Sequence, residues 1–502
     1  RKWGRESPAH LAGDFAFMVW DEREKTVFAA RDPVGVRSLH YARFGDDFCV
    51  ASEARQVLQH PAATRSLREE ALVEWLTGDV KHTGSMFRDA HMLPPGCSLF
   101  ADRNGEEVTR YWNLEPGDVI RYRDEREYGE HLLEILGRAV SDRLRTDAPA
   151  VASNLSGGLD STTVSALAVE ALKGSDQRLL FTSMQYPSTP GCDETGFIED
   201  VAAHIGVKPL WIDAEAHGAL GYPKAHVHSP ESPWVRYYPV MDHELAELQQ
   251  RGASVLLTGN GGDEVASGGA LVYFERILGG DPGAMRDVWR FCRRYDASFP
   301  RNVYKSFIAP AMSDRLDGVF RRLTRHASPN RYPQPPSWLT PRAVETWRAT
   351  RPCREARTGP IRERAWRLRY DGLFLGTLPG SIGNREYVAS PRGMEVRHPF
   401  LDQRVIRYCY SVPLTLWSKD LFNKWLLRDA TRGLLPDSIR WRTAKSISLD
   451  VFGKAVARNM DYVREVLAGR SAALDGLCDL PEFERAFHEY FGRYGVIGRR
   501  DI

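Results

Sequence analysis

The chain has 502 residues, 42% of them hydrophobic, with 68 Lys+Arg against 66 Asp+Glu and a net charge of +2. That length is too great for one hydrophobic core and predicts about two to four domains. The near-balanced charge argues against nucleic acid or a membrane surface as the main partner, and no apolar run reaches bilayer-spanning length.

Seven cysteines (Cys49, Cys97, Cys192, Cys292, Cys353, Cys409, Cys478) lie far apart, odd in number and without a Cys-x-x-Cys pair. That pattern predicts free or buried thiols in a reducing cytoplasm rather than a metal cage. Arg1-Lys2-Trp3-Gly4 shows neither a methionine nor a signal-peptide pattern and reads as the middle of a domain, so further residues are expected upstream.

In chain order, β-prone runs at 15–20, 26–31, 38–42 and 48–52, separated by turn-rich pieces such as Asp32-Pro33-Val34-Gly35, predict an antiparallel front part. A helix is expected at 68–76 and a short strand at 97–100. Residues 1–113 form the first expected domain, 114–124 a linker and 125–502 the second. Leu132, Leu133, Leu136, Val140 and Leu144 then recur at three- and four-residue spacing, as in an amphipathic helix. Strand-like runs at 179–184, 209–212 and 254–258 alternate with helical ones at 195–205 and 239–251. Such alternation predicts a parallel, doubly wound sheet. Beyond Gly268 the pattern is mostly helical, broken by a proline-rich stretch at 329–336 that reads as an exposed loop.

The sharpest local signal is an apolar run, 151–155, that enters Ser156-Gly157-Gly158-Leu159-Asp160-Ser161 and then a helical segment. Adjacent glycines let backbone N–H groups surround an anion, and the helix aims its positive end there. Asp160 offers a carboxylate to a divalent cation held against phosphate oxygens. The lysine of the common Gly-x-x-x-x-Gly-Lys-Ser/Thr loop is absent, so this is a different nucleotide-phosphate device.

A second loop, Thr258-Gly259-Asn260-Gly261-Gly262-Asp263-Glu264, also follows an apolar strand. Alone it could be a surface turn. Paired with the first, it lets Asp160 and Asp263 share a magnesium ion bridging the phosphates of ATP. Late in the chain, Lys424 and Lys445 are candidate cations for charge that builds on the α-phosphate and on pyrophosphate, although most lysines are merely solvated. In Gly393-Met394-Glu395-Val396-Arg397-His398-Pro399-Phe400-Leu401-Asp402 the charges interrupt apolar residues and are expected to pair with one another or with a neighbouring loop. His398 reads as a packed histidine rather than a base.

Together these motifs resemble the asparagine synthetase superfamily. Ser156–Ser161 is similar to its pyrophosphate loop, 258–264 to its second nucleotide loop and 393–402 to its Gly-Val-Glu-x-Arg-x-Pro-Phe-Leu-Asp block. Leu11-Ala12-Gly13-Asp14-Phe15-Ala16-Phe17 and the 29–37 segment look like its glutaminase-type domain. The resemblance runs from about Trp3 to about Lys445. It implies an α/β protein: an N-terminal glutaminase-like (Ntn-type) antiparallel β/α domain, degenerate and incomplete, then a doubly wound parallel ATP-pyrophosphatase domain with helical additions. It further implies ATP and Mg2+ as cofactors, Asp160 and Asp263 as metal ligands, and Ser156, Gly157, Gly158, Leu159, Asp160, Ser161, Ser183, Met184, Thr258, Gly259 and Lys424 as nucleotide contacts.

Within the family, asparagine synthetases usually carry glutamate where this chain has Asn260, and β-lactam-forming relatives carry a tyrosine. The 393–402 wording and Leu427-Arg428-Asp429-Ala430-Thr431-Arg432-Gly433-Leu434-Leu435-Pro436 look most like lasso-peptide cyclases, which adenylate an Asp or Glu side chain for attack by the peptide's own N-terminal amine. That resemblance implies a leader-free core peptide as substrate, with a leader peptidase and a leader-binding protein as partners, and no glutamine hydrolysis. Glu386 and Glu395 are then candidate helpers for amine deprotonation, Lys424 a catalytic cation, and Lys445 a further one that also steadies the oxyanion. Rival readings are an asparagine synthetase, a small-molecule β-lactam-type cyclase, a transfer-RNA-modifying enzyme with the same loop, and a non-catalytic scaffold. Against the scaffold stands the retention of Ser156, Asp160, Asp263 and Lys445.

Overall fold

The computed structural model describes residues 2–78, 84–216, 238–268, 271–294, 298–308, 335–350, 361–419, 422–443, 449–469 and 474–493. Seven strands precede residue 111: β1 (Ala16–Asp21), β2 (Thr26–Arg31), β3 (His40–Phe44), β4 (Asp47–Ala51), β5 (His91–Met92), β6 (Cys97–Asp102) and β7 (Gly105–Arg110). They make two antiparallel sheets, in the orders β1-β2-β6-β7 and β4-β3-β5. Ala29, Leu39, Leu93 and Leu99 bury the core beneath them, packed against Tyr41, Phe48 and Val50. Strand β7 was not expected from the sequence. Five of its six residues face solvent, so no apolar alternation marks it.

No regular element lies between Arg110 and Glu125. The Glu125–Arg143 helix then starts on a reciprocal cap: Asp124 accepts from Arg126 N–H, and Glu127 accepts from Asp124 N–H, both at 2.9 Å. Behind it comes a five-stranded sheet of β8 (Ala150–Asn154), β9 (Arg178–Gln185), β10 (Pro209–Asp213), β11 (Ala253–Leu257) and β12 (Glu395–Arg397). Its order is β10-β9-β8-β11-β12 and every pairing is parallel.

Period-two alternation decides which strand residues meet which layer. Val151 and Leu257 join Leu132, Leu136, Val140 and Val164 on one face. Ala150, Ala152 and Leu256 meet Leu245, Leu248 and Val388 on the other. The chain winds outward from β8 in one direction through β9 and β10, and in the other through β11 and β12. The crevice between the carboxyl ends of β8 and β11 is therefore the topological switch point, where such sheets bind ligands.

The helical texture beyond Gly268 resolves into the Val272–Leu278, Gly283–Arg294, Pro341–Thr350 and Ile361–Phe374 helices, among others. Residues 329–334 of the proline-rich stretch lie outside the described residues. Strand β12 was also unforeseen. Two of its three residues are charged, and only its neighbour β11 makes it a strand.

Candidate active site

The phosphate loop leaves β8 at Asn154, and the Leu159–Ala171 helix begins behind Gly158. Gly157 has φ +64°, a left-handed conformation that glycine adopts without strain. The Ser156 and Ser161 hydroxyls meet at 2.7 Å and close the loop on itself. Arg442 braces it, donating to the Gly157 carbonyl at 3.1 Å and pairing with Glu194 at 2.6 Å.

The second loop is packed into the first. A Cβ at Gly259 would lie 2.5 Å from the Ser161 backbone nitrogen, and one at Gly262 would run into the Asp160 carboxylate. Gly261, at φ +90°, clears Leu401. The glycines thus let two strand ends touch, bringing Asp160 and Asp263 to one point. Thr258 Oγ1 meets Nδ1 of buried His398 at 2.7 Å. Burial, reinforced by nearby arginines, holds that imidazole well below its usual pKa, so it is a neutral packing partner.

Lys424 supplies the cation. It is 6% exposed, has φ +58°, and places Nζ 2.5 Å from Asp160 Oδ2 and 2.6 Å from Asp263 Oδ1. Although burial opposes it, the two carboxylates raise the ammonium's pKa. Asp160 Oδ1 is buried without a hydrogen-bond partner. Two carboxylates, one with an orphaned oxygen beside a phosphate loop, are an oxygen donor set suited to Mg2+. Lys445 lies outside the described residues.

The cavity over these loops has two lobes that share Ser156, Gly158, Asp160 and Asp263. One, of about 390 Å³, is lined by Lys424, Arg428 and Arg442. The other, also about 390 Å³, runs under Thr182, Met184 and Asn260 to Glu244 and Arg385. Ser183 is buried and donates to the Leu155 carbonyl at 2.7 Å, a loop-bracing contact. Asn260 Nδ2 is buried without a partner.

Glu386 and Glu395 are not part of this cavity. Both pair with Arg37 of the front domain, Glu395 at 2.6 Å, and Glu395 also pairs with Arg397 at 2.9 Å. They line a separate space of about 400 Å³ at the domain junction, with Asp14, His40 and Glu53. The structure thus sets the two expected amine helpers apart from the nucleotide loops, and an arginine from 349 residues away engages Glu386. Asp402, the other charge of that block, caps the Gln403–Ser411 helix and pairs with Arg143 at 2.7 Å, which in turn holds Asp14 at 2.8 Å.

Sequence reasoning missed Glu244, Arg385 and Arg442. Glu244 lies in the expected 239–251 helix with no local motif around it, and only its bonds to Asn154 and Thr182 show it as a cavity wall. Arg442 lies three positions before Lys445, the residue that the sequence pointed to there.

The asparagine synthase family matches residues 131–499, well over half the chain. The chain belongs to the asparagine synthase family. A glutamine amidotransferase domain matches residues 1–112. Membership makes the protein an ATP-dependent amide-forming ligase. Among its curated relatives is asparagine synthetase [glutamine-hydrolyzing] 3 of Bacillus subtilis, 25% identical over 88% of this chain and 68% of its own length. Another is the amidase chyE of Penicillium rubens, 25% identical over 88% of this chain and 70% of its own. A putative asparagine synthetase of Mycobacterium tuberculosis is 29% identical over 55% of this chain and 42% of its own length. No described helix is long and apolar enough to cross a membrane.

Proposed function

We propose that this family member is an ATP-dependent macrolactam synthetase of the lasso-peptide type. An Asp or Glu side-chain carboxylate of a leader-free core peptide attacks the α-phosphorus of ATP, forming the acyl–O–P bond as pyrophosphate leaves. The peptide's N-terminal amine then attacks the acyl carbon, loses one proton, and displaces AMP. Mg2+ held by Asp160 and Asp263 would neutralise phosphate charge. Lys424, Arg428 and Arg442 stabilise the departing pyrophosphate, and the N–H groups of 156–161 orient it.

The observation that carries this reading is Asn260. It lines the cavity where family asparagine synthetases are expected to place a glutamate, and it cannot act as a carboxylate base. An α-amine, with a pKa of about 8, needs little help to lose its proton. Glu386 is engaged by Arg37 rather than free. A leader peptidase and a leader-binding protein are the proposed partners, and the cytoplasm the proposed location.

The second reading is asparagine synthesis from aspartate, favoured by the similarity to asparagine synthetases over most of the chain. Mass spectrometry separates the two. Core peptide incubated with MgATP loses one water and yields AMP if the first holds. AMP and asparagine formed only with aspartate plus glutamine or ammonia would establish the second.

A further inference from the structure

The Arg385 side of the nucleotide cavity holds a charge with no ion-pair partner among the described residues. Arg385 Nε is buried without a hydrogen-bond acceptor, and no described carboxylate lies within ion-pair distance of the guanidinium. Burial lowers its pKa, and its electrostatic neighbour is Glu244. One oxygen of Glu244 is taken up elsewhere, Oε1 accepting from Asn154 Nδ2 and Thr182 Oγ1, each at 2.6 Å, and the carboxylate stays beyond ion-pair distance of Arg385. A guanidinium does not deprotonate to escape desolvation, so such a site favours an incoming anion.

Which anion follows from how the cations are distributed. The lobe under Lys424 carries that lysine, Arg428 and Arg442, enough for pyrophosphate. In the other lobe Arg385 is the one cation among the described lining residues. It lies on the Thr377–Ala389 helix at i+8 from Thr377 and i+4 from Ser381, so two hydroxyls and the guanidinium form one stripe facing the phosphate loop. An anion held there sits across the shared loop wall from the phosphates. It would be a group that must approach the α-phosphate, not part of the triphosphate.

We propose that Arg385 is a positioning residue that receives the carboxylate of the acyl substrate, with Thr377 and Ser381 alongside. This deepens the carboxylate-activating reading above and rests on it, but holds equally for a peptide side chain or free aspartate. A planar fork matches a carboxylate with two parallel hydrogen bonds and screens its repulsion from the phosphates. The benefit is orientation of the attacking oxygen.

The test is carboxylate-dependent ATP–pyrophosphate exchange by wild type, Arg385→Gln and Arg385→Lys, using core peptide and L-aspartate in separate assays. Exchange with aspartate alone would end the peptide reading without touching this inference. With whichever carboxylate works, Arg385→Gln is expected to raise its KM about 30-fold while the KM for ATP stays within about twofold, and Arg385→Lys recovers part of the loss. Equal losses for ATP and carboxylate, or none for either, would overturn the proposal. A readout free of turnover covers the case where neither carboxylate supports exchange. Phenylglyoxal labelling of Arg385 in the wild-type protein, mapped by mass spectrometry, is expected to be blocked by AMP with millimolar succinate but not by AMP alone. Protection by AMP alone, or by neither, would also overturn it.

Discussion

Lys424 Nζ lies 2.5 Å from Asp160 Oδ2, so a lysine and a carboxylate 264 positions apart form the electrostatic centre of the nucleotide site. The same ammonium reaches Asp263 at 2.6 Å, standing where a divalent cation would share the two carboxylates. A lysine is a point charge on a flexible stem, able to turn from carboxylates to phosphate when Mg-nucleotide enters.

Lys424→Met therefore has two expected effects of opposite direction. Turnover falls on the order of 100-fold, because a cation facing the phosphates is lost. Nucleotide-free protein binds Mn2+ more tightly, because two carboxylates lose their internal counter-ion. Calorimetric Mn2+ titration of both proteins checks this. Weaker Mn2+ binding by the variant would show that Lys424 does not compete with the metal.

Gly259→Ala places a methyl group 2.5 Å from the Ser161 nitrogen, closer than van der Waals contact permits. The two loops must separate, at a cost of about 1–3 kcal/mol. Nucleotide affinity is expected to drop more than thermal stability, since both loops form the phosphate site. Equilibrium ATP binding set beside a thermal melt tests the order of these effects.

The domain junction depends on Arg37. Burial raises the Glu386 pKa despite Arg37, so Arg37→Ala leaves a carboxylate stranded and costs about 3 kcal/mol. Glu386→Gln, by contrast, is expected to leave ATP–pyrophosphate exchange within about twofold, because Glu386 lies outside the nucleotide cavity. A large loss of exchange with intact stability would return Glu386 to the reaction.

Acid stability reports on Asp402. Although burial works the other way, Arg404 and Arg143 hold this carboxyl down to about 2, against an ordinary 3.8. A folded-state pKa below the unfolded one means stability that is present above about pH 4 and lost as pH falls toward 2. The amount is about 2 kcal/mol. Asp402→Asn removes it, so denaturant melts from pH 7 to pH 2 are expected to show a lower plateau and a flatter acid limb.

The sequence by itself determined the local devices: the Ser156–Ser161 loop, its glycines, the apolar period of the Glu125–Arg143 helix, and the 195–205 helix with the boundaries observed. These rest on near-neighbour chemistry, in which turn conformation and apolar period involve residues a few positions apart. Tertiary structure decided the rest. It put β12 in the sheet although two of its three residues are charged, because β11 offered a free edge. It paired Glu386 and Glu395 with Arg37 from another domain, away from the nucleotide loops. It left Arg385 beside Glu244 in a cavity although nothing in either helix's pattern marks them. Partners hundreds of residues apart are chosen by packing, and in a low-dielectric interior that choice settles whether a charge is paired, neutral or waiting for a ligand.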